Sequence, residues 1–188
     1  MEQNIEFFFE LPDHLKPLGL SPGETTKKDL DDFIKRKNAL ILTKEQPSPT
    51  QDNLFNPNTT EMVIGGLKDI YGIPLKGLIV NFHKGIIDKI FCLFEHGDEP
   101  EIDFFTIFKK LEADIFGKPT SIQTSVDANI NEWDITWNFT WFSISLFLHR
   151  NTSDLMLLFS DKSLQRIIGQ EEKEIFSNYM EQQMRNPK

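Results

Sequence analysis

Residues 133–148 constrain the fold more than any other stretch. Trp133, Ile135, Trp137, Phe139 and Trp141 alternate with Asp134, Thr136, Asn138 and Thr140. Side chains of an extended chain point to opposite faces with period two, so this spacing predicts a strand with one apolar and one polar face. Phe142, Ile144, Leu146 and Leu148 then alternate with Ser143 and Ser145. The apolar parity switches between Trp141 and Phe142. A continuous strand would flip its apolar face there, so a bulge or tight turn is required. Arg150-Asn151-Thr152-Ser153 is a turn. Leu155 to Phe159, apolar on both faces, is expected to be a central strand.

A hairpin is expected earlier in the chain. Leu78, Val80 and Phe82 share one face, Ile86 to Phe94 return, and His83-Lys84-Gly85 makes the turn, with Gly85 able to supply a positive φ. A strand over Glu61 to Ile64 precedes it and is ended or bulged by Gly65-Gly66. Short connections between successive strands imply antiparallel pairing.

Three helical segments are legible. Thr26 and Asp29 have capping-box spacing, Leu30, Phe33 and Ile34 fall on one face, and the helix should end near Asn38. Asp103 is expected to cap a second helix, with Phe104, Ile107, Phe108, Leu111 and Ile115 on one stripe, Gly117 at its end and Pro119 beyond it. In the tail, Asp161 to Leu164 open a single helical turn. Gln170 to Met184 form a separate helix whose first turn carries Glu171, Glu172 and Glu174.

The chain is expected to form one domain, 1–188, with a small N-terminal helical unit over 1–43 and a long loop over 44–60 rich in Pro, Asn and Thr. Ile5 to Phe9 is expected to be a short strand or one helical turn. Strands joined by tight turns, with a broad-faced aromatic helix to lay across them, give an α+β fold: a two-layer sandwich with a mainly antiparallel sheet covered on one face by helix. The other sheet face must be polar, covered by the N-terminal unit, or used for binding. Phe occurs 17 times, which predicts an aromatic-rich core.

The net charge of −9 repels phosphate backbones, and Lys27-Lys28 and Lys35-Arg36-Lys37 are interrupted by Asp29, Asp31 and Asp32. No nucleic-acid partner is expected. No apolar run approaches a membrane span, the start of the chain lacks a signal peptide's basic region, and a cytoplasmic protein is expected. The lone Cys92 lies in an apolar run and is expected to be buried.

Of the four histidines, His83 and His96 should lie roughly 30 Å apart along one strand, which excludes a shared mononuclear metal. Neither zinc-ligand spacing nor a phosphate-binding glycine loop is present, and no metal or cofactor is expected. The candidate partner-binding residues are the acidic cluster Glu95, Asp98, Glu99 and Glu101, with Trp133 and Trp137 if their face lies outward. If that face meets the second helix, the tryptophans are core. With no catalytic constellation evident, the function expected is a non-catalytic protein-binding or inhibitory, immunity-like domain of bacterial type, steered by charge toward a basic protein. Two alternatives stand beside it: a hydrolytic enzyme with a scattered site (His83, Asp134, His149), or a structural assembly subunit.

Overall fold

The structure, a computed structural model, describes residues 11–49, 55–124 and 132–185. The expected element at Ile5–Phe9 lies outside them. The chain is α+β. Nine strands are described, Leu40–Pro49 (β1), Phe55–Gly65 (β2), Asp69–Ile70 (β3), Ile73–His83 (β4), Ile86–Phe94 (β5), Ser121–Gln123 (β6), Glu132–Asn138 (β7), Phe142–His149 (β8) and Asp154–Asp161 (β9). The helices are Lys27–Lys37 (α1), Pro100–Leu111 (α2) and Lys162–Arg185 (α3). The sheet runs β1-β2-β4-β5-β9-β8-β7-β6, with β3 on β4, and each pairing is antiparallel. Two meanders, β1–β5 and β6–β9, are joined by a single seam, β5 against β9.

Local chemistry places several boundaries. The Thr26–Asp29 capping box starts α1, and Asn38 ends it in the left-handed region at φ 52°. Lys84 and Gly85, at φ 50° and 80°, make the two-residue β4–β5 turn, which demands positive φ at both positions. The parity switch is resolved by a turn: β7 ends at Asn138 and β8 begins at Phe142. Trp141 therefore leaves the strand and its face, and is 37% exposed.

Other expectations are corrected. The loop expected over 44–60 is largely strand, because β1 continues to Pro49 and β2 begins at Phe55. Proline is tolerated there because β1 is an edge strand with register shifts on either side of Pro47. Asp103 does not cap α2. Pro100 starts the helix four residues earlier, and the Asp103 carboxylate instead accepts the Gly97 N–H at 2.7 Å. The tail is one helix, capped by Asp161, whose carboxylate accepts the Leu164 N–H at 2.7 Å. Glu171, Glu172 and Glu174 thus lie mid-helix, and Gly169 is carried through at a cost of about 1 kcal/mol.

One face of the sheet is closed. Val80, Ile90, Phe159, Ile144 and Trp137 lie on it in register, beneath Leu30 and Phe33 of α1 and Phe104 and Leu111 of α2, in one continuous core. Trp133 contacts Phe104 at 5.7 Å between ring centroids, and Trp137 contacts Phe116 at 5.2 Å. The Trp137 indole N–H donates to the Gly117 carbonyl at 2.8 Å, locking the end of the aromatic helix to the sheet. Segment 23–27 continues the sheet beside β5 where β9 stops, through Gly23 N–H to Ile87 O and Ile87 N–H to Thr25 O.

Candidate functional site

The opposite face is read directly from the strand register. Beside α3 lies a polar row, Glu61–Asn81–Lys89–Ser160–Ser143. The next row is Val63–Ile79–Phe91–Leu158–Ser145, and the one after it is Gly77–Leu93–Met156–Phe147–Asp134. The last is Asp154–His149–Glu132, and Glu95 continues it with the parity of Leu93. Val63, Ile79, Phe91, Leu93 and Leu158 are only half-buried. Phe147 and Met156, though buried, stand outside the main core. The middle of this face is apolar, and the described N-terminal segments pack on the other side. It is an apolar belt, crossed by helix at one end and rimmed by carboxylates at the other.

The crossing helix is held by polar contacts. Gln165 donates to the Asp88 carboxylate at 2.8 Å, and Glu171 accepts from Asn56 at 3.2 Å, Asn58 at 3.0 Å and Lys84 at 2.8 Å. Ile168 is its one fully buried apolar side chain among the described residues. These donors, the Lys84 ammonium foremost, hold the Glu171 carboxyl down at about 2. Asp88 is buried, with one carboxylate oxygen lacking a hydrogen-bond partner, and burial pushes its carboxyl up. His83, expected in the turn, is instead the last residue of β4, buried under α3 with its Nε2 3.6 Å from Glu171. Sequence reasoning missed this cluster. Its one signal was polar His83 and Asp88 in otherwise apolar strands.

Glu95, Asp98 and Glu99 are exposed in the loop between β5 and α2. Glu101 is in the first turn of α2, 3.9 Å from Arg150 Nε, and the Arg150 guanidinium sits 5.4 Å from the Trp133 ring centroid. Trp133 and Trp137 are corrected as contact residues. Their face is roofed by α2, leaving them 4% and 2% exposed, so the indoles form scaffold. The exposed apolar side chains beside the acidic loop are instead Ile102 and Phe105.

The scattered histidine site is not brought together. His83 lies on β4 and Asp134 on β7, four strands away, or about 19 Å. His149 faces Glu132 at 3.6 Å. A ≈ 100 Å³ cavity lies between Leu11, Glu24, Trp141, Phe159 and Asp161, with no histidine in its walls. Sites that enclose a small molecule are usually about 300–1,000 Å³. Among the described residues, no group of three or more His, Cys, Asp and Glu is placed to hold a metal ion. No described helix is long and apolar enough to cross a membrane.

No protein-family model matches the chain, and neither does any curated protein. Among solved structures it is similar to a DUF4309 family protein, YjgB from Bacillus subtilis subsp. subtilis str. 168, at 14% sequence identity. The match covers 81% of this chain and 88% of that one with a TM-score of 0.40, a likeness too distant to carry an argument about function.

Proposed function

We propose that this is a non-catalytic protein-binding domain of the inhibitory, immunity-like kind and of bacterial type, which docks a basic protein on its open sheet face. One observation carries the reading. The apolar belt of Val63, Ile79, Phe91, Leu93 and Leu158 ends at a carboxylate rim of Glu95, Glu132, Asp134 and Asp154, with Asp98 and Glu99 in the adjoining loop. An apolar floor supplies burial on docking, and charges at its rim steer approach and fix orientation. A half-buried apolar belt of this size gains further burial when a partner covers it.

The test is affinity capture at low and at high ionic strength, with wild type and two variants. Phe91→Asp places a charge in the belt, and the pair Asp98→Lys, Glu99→Lys reverses the loop. A basic protein should be recovered by wild type at low salt, reduced at high salt by screening, and lost with either variant. Equal recovery by Phe91→Asp sinks the assignment of the belt. Absence of any partner, together with measurable hydrolase turnover, sinks the non-catalytic reading.

A further inference from the structure

Helix α3 continues well past the sheet that anchors it. Gln165 is fixed to Asp88 of β5, and Glu171 to Asn56 and Asn58 of β2. Six residues of helix rise about 9 Å, and two strand spacings are about 9.6 Å, so α3 runs across the strands toward β1. β1 is the edge, one further spacing away. Residues 172–185 add about 21 Å of helix, so about 16 Å projects beyond the sheet. A straight helix leaving in this direction cannot fold back over its own domain.

The projecting part is not dressed for water. Phe176, Tyr179, Met180 and Met184 are 42%, 43%, 42% and 70% exposed, at the three- and four-residue spacings that put them on one side. The same edge is bare at its far end, since α3 crosses β2 at Asn56 and Asn58, near Pro47–Pro49 of β1, whereas Leu40 pairs with Gly65. Leu40, Ile41 and Leu42 of β1 are 59%, 49% and 60% exposed, and Leu42 lies against Gly65. β1 carries Lys44, Pro47 and Pro49 further along, but its first four residues have none of the usual guards of an edge strand.

We infer that two copies of this chain associate reciprocally, the α3 arm of each lying on the β1–β2 edge of the other. The two exposed apolar surfaces of one molecule lie at opposite ends of the same sheet edge, so a two-fold axis beside the middle of β1 lays each arm over the other copy's Leu40–Leu42. Reach fits as well. An arm projecting about 16 Å arrives over the neighbour's β1 and β2 and stops there. With large side chains of about 200 Å², the four arm residues expose on the order of 400 Å². Both arms with the edges they cover then reach the standard interface range of about 1,200–2,000 Å². The centre of the open belt stays uncovered, so this association is independent of the docking proposed above.

Salt separates the two ideas. Each chain carries a net charge of −9, so self-association works against repulsion and strengthens as salt screens it, whereas capture of a basic protein weakens. The experiment is sedimentation velocity of the whole chain across a concentration series at low and high salt, for wild type, Met180→Glu, Leu42→Glu and Phe91→Asp. The first two substitutions fall on exposed positions, so folding should survive, and circular dichroism checks it. Wild type should dimerise more tightly at high salt. Met180→Glu and Leu42→Glu should each weaken dimerisation at least tenfold, and Phe91→Asp should leave it unchanged. A wild-type monomer up to ~100 µM in high salt overturns the proposal. So does a dimer that is indifferent to Met180→Glu or Leu42→Glu.

Discussion

The two faces of the one sheet hold their helices by opposite kinds of contact. On the closed face, α2 and the turn that follows it lie on Trp133 and Trp137 through Phe104, Phe108 and Phe116, with the Trp137 indole donating to Gly117. On the open face, α3 is fastened by Gln165 and Glu171 to side chains of β2, β5 and the β4–β5 turn, with Ile168 as its buried apolar contact. Apolar burial scales with area and is indifferent to pH. A charged hydrogen-bond network is local and titrates. The closed face should therefore be inseparable from global stability, while α3 can loosen without unfolding the domain.

The largest expected effect breaks the closed face. Trp137→Ala removes the ring between Phe108 and Phe116 and should cost about 3–5 kcal/mol, read as a shift in denaturant midpoint. A loss no larger than that of an α3 contact would erase the distinction between the faces. Next comes Glu171→Ala. Its folded carboxyl is held down at about 2, against about 4.3 when unfolded. A depressed carboxyl stabilises above its unfolded value, and that contribution is lost as pH falls through the folded one. At pH 7 the variant should lose about 1–2 kcal/mol, after discounting for the half-exposed Lys84 ammonium. Hydrogen exchange should show the loss in α3 amides and not in β7–β9, and the gap from wild type should close by about pH 2.

The smallest change sharpens the comparison from the other side. Asp88 has its carboxyl pushed up by burial, so its contribution is fully present in acid and is lost as pH rises through the folded value. Asp88→Asn keeps an acceptor for Gln165 and removes the charge. It should stabilise α3 docking at pH 7, with a gain that shrinks as the buffer is taken toward pH 4. A loss at neutral pH would show that the charge is supported by groups other than Gln165.

The closed face was legible because its information is local. Alternation in Trp133–Trp137, the spacing of Phe104, Ile107 and Leu111, and the Thr26–Asp29 cap are each written within a few residues. The missed features depend on distant ones. Pro47 is harmless in β1 only because no strand lies beyond it, and Gly169 stays helical because Asp161 supplies a cap and Asp88 a docking point. Of the acidic rim, Glu95 with the adjoining Asp98 and Glu99 was visible as a run, while Glu132, Asp134 and Asp154 come to it only through the strand register. The belt they border was not visible, since it emerges only when β2, β4, β5 and β9 are set in register, and the tryptophans beside the run drew attention to the wrong aromatic surface.

The β5–β9 seam has a practical consequence. Cys92, the chain's single cysteine, sits on it opposite Leu157, fully enclosed, with burial pushing its thiol far above the ordinary range. A thiolate is the species that alkylating reagents attack, so labelling requires the closed core at that seam to open. The modification rate in native buffer is thus a clock for that opening, installed by the sequence where the halves of the sheet are joined.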